Sequence, residues 1–445
     1  MRRKIILLFL LICSITTYNN TLGDELLDEL SEKSRAVVTL FTEGKYAEMT
    51  PYFDSTVKAA LTPEQLEQLW GQLTAQLGTY SGQAGTRTEQ IPDYNIVYVT
   101  MKFDKMKLDT KLVFNKNKQI AGFFFTPAPP DEPFKVAEYI NPEAFTEKEV
   151  TIGEIPWQLP GTLTLPHGEG PFPAVILVHG SGPNDRDETI GPNKPFNDLA
   201  LGLASNGMAV LRYDKRTKVH ATKFSPTEEI TVKEETIDDA VFAFEFLSQA
   251  EKIDTRKIFI LGHSLGSMVM PRIGLETPGA AGFILLAGNS RPLEDLILEQ
   301  YEYIYSLDNE PSAEKSIMID SLKKQVAFLK SDRFTKDTPR EQLPLGIPSG
   351  YWLDLKNYDQ VRTARQLPQP LLILQGERDY QVTMQDFNGW KKGMKGKNNV
   401  TFKSYPKLNH LFMSGEGKST PDEYMQPGHV DKEVLVDIAG WIKNL

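Results

Sequence analysis

The run Lys257-Ile258-Phe259-Ile260-Leu261 leads without a break into Gly262-His263-Ser264-Leu265-Gly266, and Ser267-Met268-Val269-Met270 then opens a helix. A chain that must leave a buried strand, turn sharply and enter a helix within five residues needs conformational freedom on both sides of the turn. Glycines two before and two after Ser264 supply it and keep neighbouring Cβ atoms clear of a strained residue. The turn lifts the Ser264 hydroxyl above the sheet at a helix N-terminus, where backbone N–H groups favour developing negative charge. The pattern is that of a nucleophile elbow, and it commits this part of the chain to a strand–helix architecture.

The surrounding sequence agrees. From Glu147 onward short apolar runs alternate with helical stretches, as expected for right-handed βαβ units and a mainly parallel sheet. Ala174 to Val178, Ala209 to Arg212, Lys257 to Leu261, Phe283 to Leu286, Leu371 to Gln375 and Val400 to Tyr405 read as strands buried on both faces. Between about 292 and 366 no buried strand is evident. That segment is charged, amphipathic and helical, and is read as a cap over the site, the alternative being an excursion of surface helices.

A serine hydroxyl needs a general base, and on such a scaffold the acid and the histidine follow the serine in that order. The chain holds six histidines. His167, His179 and His220 precede Ser264 and His263 lies inside the turn, which leaves His410 and His429. His410 follows the Val400 to Tyr405 run, at the sheet edge where such folds keep their chemistry; His429 precedes the final helix and reads as a capping or surface residue. Asp379 stands three residues past the glycine that ends the Leu371 to Gln375 run, placed to reach a histidine one αβ unit later. Glu377 is the competing acid, and Arg378 and Tyr380 read as loop-packing residues. For the oxyanion hole the expected donors are the backbone N–H groups of Leu265 and of Ser181, in His179-Gly180-Ser181-Gly182-Pro183, with Gly182 as the fallback. His179 is expected to hold that loop by a hydrogen bond. The charged run Asn184-Asp185-Arg186-Asp187-Glu188 is read as stiffened by internal ion pairs, a calcium site or a reader of substrate charge being the alternatives.

Before this region, residues 24–126 read as a small α+β unit. Leu26, Leu27, Leu30, Val37, Val38, Leu40 and Phe41 recur at helical spacing, and Thr62, Pro63 and Gln65 form a helix-start signature. Ile96 to Phe103, Lys107 to Phe114 and Gln119 to Phe125 read as strands against which two helices pack. No catalytic constellation occurs here. Residues 127–146, with Thr126-Pro127-Ala128-Pro129-Pro130 at their start, read as a proline-rich linker, and 147–445 as the catalytic domain.

At the N-terminus Arg2-Arg3-Lys4 precedes the apolar run Ile5 to Ile15, too short to span a bilayer, so residues 1–23 read as a secretory signal peptide. The expected location is exported, periplasmic or extracellular. Cys13 is the only cysteine; a lipid anchor there is the alternative, although Leu10-Leu11-Ile12 departs from the small residue usually found before a lipidated cysteine. An apolar content of 40% with 24% charged residues is that of a globular chain, and a net charge of −10 disfavours nucleic acid and anionic lipid as partners. No zinc, phosphate-loop or dinucleotide motif appears, so no cofactor is expected.

With His179-Gly180-Ser181-Gly182-Pro183, Asp185-Arg186-Asp187, Arg212-Tyr213-Asp214-Lys215-Arg216, Gly262-His263-Ser264-Leu265-Gly266, Gly376-Glu377-Arg378-Asp379 and Asn409-His410 in this order, residues 147–445 resemble bacterial secreted α/β-hydrolase esterases. Leu159 to Pro166 is similar to the family's opening hairpin. Gly44-Lys45-Tyr46 and Leu77-Gly78 resemble the small domain of unknown function that precedes some of these enzymes. The resemblance implies the α/β-hydrolase fold, a mainly parallel sheet with flanking helices and a helical cap, preceded by the small α+β domain. It also implies carboxylesterase activity on small-molecule, short-acyl esters with Ser264, Asp379 and His410 as triad. A peptidase or thioesterase on the same triad, and a non-catalytic exported binding protein, are the competing readings.

Overall fold

The computed structural model of the chain describes residues 25–91, 93–129, 134–223, 230–307 and 313–445. The signal-peptide reading of residues 1–23, with Cys13, lies outside them. The chain forms two compact units that divide between residues 131 and 132.

In the first unit a helix over residues 25–42 and the helix Pro63–Leu77 pack on a four-stranded antiparallel sheet, β1 (Tyr80–Ile91), β2 (Tyr94–Phe103), β3 (Lys107–Phe114) and β4 (Ile120–Pro127), in that order. Thr62 caps the second helix in a reciprocal capping box with Gln65. Leu30, Val37, Val38 and Phe41 are buried against Val97, Val99, Met101 and Phe123. Strand β1, not anticipated from the sequence, is an edge strand of mostly exposed residues, Ser, Gly, Gln, Thr, Arg and Glu among them. Without a buried face it carries no alternation to read.

The linker expected over 127–146 is shorter than that. Pro127 ends β4 and Phe145 begins β5 (Phe145–Ile152); between them Ala137 and Ile140 are buried against Leu201, and the Tyr139 hydroxyl donates to the Val430 carbonyl at 2.7 Å. Three apolar residues among prolines and charges suffice to dock this stretch on the second unit.

That unit is built on an eight-stranded sheet. Its remaining strands are β6 (Leu159–Pro166), β7 (Phe172–Val178), β8 (Ala209–Tyr213), β9 (Ile253–His263), β10 (Gly282–Leu286), β11 (Leu371–Gly376) and β12 (Val400–Tyr405), in the order β12-β11-β10-β9-β7-β8-β6-β5. Strands β7 to β12 run parallel; β5 and β6 form an antiparallel pair, and β6 joins β8 antiparallel. Successive residues of the central strands serve opposite faces. Ile176 and Ile260 pack with helices Asp238–Leu247 and Leu265–Glu276, whereas Val175, Leu177, Phe259 and Leu261 pack with helices Pro195–Ser205 and Lys432–Lys443. One run departs from expectation: β12 is the sheet edge and only half-buried, because no strand among the described residues pairs beyond it. Between β10 and β11 the described chain is helical and forms its own small core from Ile297, Leu322, Val326, Leu329, Phe334, Leu343 and Trp352.

Candidate active site

Strand β9 ends in the turn read from the sequence. Ser264 sits at φ 51°, ψ −113°, a conformation that side-chain-bearing residues rarely adopt. Two contacts explain the flanking glycines. A Cβ on Gly266 would lie 2.4 Å from the Val178 carbonyl oxygen, and one on Gly262 would lie 2.5 Å from the Gly266 carbonyl carbon. Strand β7, the turn and the helix therefore meet backbone to backbone. The Ser264 N–H donates to the Leu286 carbonyl at 2.9 Å, and the Ser267 hydroxyl, 2.6 Å from the Gly262 carbonyl and 2.8 Å from that of Leu286, ties the first helical turn to β10.

Asp379 follows β11 and His410 lies in the loop after β12. Carboxylate Oδ2 stands 2.7 Å from imidazole Nδ1, with both side chains buried. The carboxylate is fixed on both sides: Oδ1 accepts the backbone N–H groups of Gln381 (2.7 Å) and Val382 (3.0 Å), and Oδ2 also accepts the Gln375 side-chain amide (3.1 Å). The His410 loop is shaped by Asn409, whose Oδ1 accepts the N–H groups of Leu411 and Met413. Ser264, His410, Leu265, Ser181 and Gly182 all line one cavity of about 640 Å³. The competitors lie elsewhere: Glu377 is exposed and accepts the Ser404 hydroxyl, and His429 pairs with Asp198 at 3.1 Å. Arg378 serves its loop, donating to the Glu416 and Gly417 carbonyls and to Glu423.

The helical segment between β10 and β11 contributes Leu293, Leu296, Ile297, Leu345, Ile347 and Tyr351 to the cavity wall, as a cap does. His179 holds the loop after β7 by a contact from Nε2 to the Asp185 carbonyl at 3.0 Å. Burial pushes its pKa down to about 4, so it is neutral at pH 7. The charged run after this loop is paired within the chain. Arg186 binds Asp214 and Glu149, Asp187 binds Lys194 and Arg212, and the carboxylate of Asp185 accepts the N–H groups of Asp187 and Thr189.

Glu188, the last residue of that run, has a role the sequence did not reveal. Its carboxylate is buried 2.9 Å from His263 Nδ1 and accepts the Gly180 N–H at 2.6 Å, while His263 Nε2 contacts the His410 carbonyl at 3.0 Å. A second acid–histidine pair thus ties the loop after β7, the elbow and the His410 loop together. Burial disfavours both charged forms, yet each is outweighed by the facing partner: His263 is raised above its usual pKa and Glu188 is lowered. A raised histidine stabilises the fold fully below its unfolded value of about 6.5 and loses that contribution as pH rises through its folded value; a lowered glutamate loses its contribution as pH falls through its own. In Glu188→Gln the partner that outweighs burial is lost and only the His410 carbonyl and Asp379 still oppose it, so the His263 pKa drops and its stabilising linkage above the unfolded value is lost. The wild-type melting temperature is expected to fall with rising pH above about 6.5 where that of the variant does not. Parallel melting profiles between the two would show that the pair carries no such linkage.

A mainly parallel sheet with a strained serine at the end of its central strand, and an acid and a histidine from the two strand ends that follow β10, defines a serine hydrolase of the α/β-hydrolase fold. The chain belongs to the family described as serine aminopeptidase, S33, whose model matches residues 171–417, more than half of the chain. A second model, of a protein of unknown function (DUF3887), matches residues 34–123. The chain is 42% identical over 387 residues to esterase EstD of Thermotoga maritima, a match covering 87% of this chain and 89% of that one. Among solved structures, an esterase of Pyrococcus furiosus aligns at 16% identity and a TM-score of 0.43, covering 70% of this chain and 97% of that one. The esterase domain of a Rhodothermus marinus protein aligns at 17% and 0.41, covering 67% and 98%.

Proposed function

We propose that the chain is a serine carboxylesterase that hydrolyses short-chain acyl esters through an acyl-enzyme. The observation that carries this reading is the buried Asp379–His410 pair opening onto the same cavity as the Ser264 elbow. Ser264 Oγ attacks the ester carbonyl as His410 takes its proton, and Asp379 holds the imidazole and stabilises its charged form. The oxyanion rests on the N–H groups of Leu265 and Ser181, with Gly182 the fallback donor. His410 returns the proton to the leaving alcohol; a water then repeats the sequence on the acyl-enzyme and releases the acid.

The family's description as aminopeptidase supplies a second reading, and the cavity bears on it. An aminopeptidase needs an uncompensated carboxylate to hold the substrate's ammonium group. The two carboxylates among the described lining residues are already matched, Glu188 by His263 at 2.9 Å and Glu235 by Lys215 at 2.6 Å, and the cap side of the wall is largely apolar. An acyl chain suits that wall. Turnover of p-nitrophenyl acetate and butyrate is expected to exceed that of aminoacyl p-nitroanilides at equal concentration; faster cleavage of the anilides would reverse the assignment.

A further inference from the structure

The peptide linking Gly180 to Ser181 is held from behind by a lysine that does not line the cavity. Lys215, just past β8, is 1% exposed, and its ammonium donates to the Gly180 carbonyl at 2.8 Å and to Glu235 Oε1 at 2.6 Å. Glu235 lies in the π-helical turn Lys233–Ile237, and its Oε2 accepts the hydroxyl of Tyr351, from the cap, at 2.8 Å. On its other side Gly180 donates its N–H to Glu188, and its carbonyl also takes the Asn184 side-chain amide at 3.3 Å. The N–H of Ser181 has no acceptor among the described residues and belongs to a residue lining the cavity.

We infer that Lys215 is a positioning residue for the oxyanion hole, acting through the Gly180–Ser181 peptide; this rests on the reading of Ser181 as a donor given above. The carbonyl and N–H of one peptide share a resonance system. A cation on the Gly180 oxygen therefore draws electron density from the Ser181 nitrogen and makes its N–H a stronger donor, in a buried site where such polarisation is little screened. Lys215 also fixes the plane of that peptide, so the donor is aimed before the oxyanion forms. Stability alone is a weak reason to keep a buried lysine–glutamate pair, since apolar groups of similar volume often replace one without loss.

The test is the charge-neutral double variant Lys215→Gln/Glu235→Gln, with Lys215→Met/Glu235→Leu as a second route should the first fail to melt cooperatively. With p-nitrophenyl acetate, kcat is expected to fall by about 10- to 100-fold, somewhat less than the loss of an entire oxyanion donor, while KM stays within about twofold. A trifluoromethyl ketone, which forms an oxyanion on Ser264, should bind more weakly by a similar factor. Lys215→Arg, which returns a buried cation, should recover part of kcat. Folded variants with unchanged kcat, or a loss confined to KM, would overturn the role of Lys215. Labelling of Ser264 by a fluorophosphonate separates the two levels. A wild type that labels while the variants keep full rate removes only the inference about Lys215; a wild type that neither labels nor turns over ester removes the hydrolase assignment of Ser264 and this inference with it.

Discussion

Replacing Ser264 by alanine is expected to lower kcat for p-nitrophenyl acetate by roughly 10⁵- to 10⁶-fold, the scale seen when a triad nucleophile is removed. The change deletes one oxygen and leaves the rest of the turn in place. The backbone bond from Ser264 to Leu286 and the Ser267 hydroxyl bonds do not involve the lost atom. Alanine is no worse placed than serine at φ 51°. KM and the melting temperature should therefore stay near wild type, and the residual rate should reflect binding and the oxyanion donors alone. Turnover within tenfold of wild type would mean that another group attacks the ester.

Asp379→Asn is expected to cost on the order of 10⁴-fold in kcat, through the wrong histidine tautomer rather than through lost structure. The backbone N–H groups of Gln381 and Val382 both point at Oδ1 and require an acceptor there, so the asparagine carbonyl is held on that side and its NH₂ turns towards His410. An NH₂ facing Nδ1 makes that nitrogen an acceptor and leaves the proton on Nε2, where the histidine can no longer take one from Ser264. The Gln375 amide, which donates to Oδ2 in the wild type, would meet a second donor and weaken the arrangement further. A loss below tenfold would show that the Asp379–His410 contact does not set the tautomer.

The elbow, the order of serine, acid and histidine, and the central strands were legible because each rests on short-range pattern: a glycine spacing, a run of apolar residues, a position just past a strand end. Elimination among six histidines left His410 and His429, the position just past a strand favoured His410, and the structure brings it to Asp379. Features made by long-range pairing were not legible. Glu188 reads as one charge in a polar run, and His263 as a bystander within the turn, until the fold sets them 2.9 Å apart. Lys215, Glu235 and Tyr351 are far apart in sequence and share no spacing that would mark them as one cluster. Strand β1 escaped because an edge strand with few buried residues has no hydrophobic period, and residues 137–145 escaped because prolines and charges surround the few apolar anchors.

The small core formed by Ile297, Leu322, Val326, Leu329, Phe334, Leu343 and Trp352 lies within the helical segment itself, while the two faces of the sheet are filled largely by other helices. The cap's share of the cavity wall is thus carried by a segment with a core of its own, and the groups proposed to break the bond are anchored to strand ends. Selection can reshape what the enzyme accepts by exchanging side chains in the first without disturbing the second. Across relatives of this chain, preference for substrate should diverge faster than the chemistry applied to it.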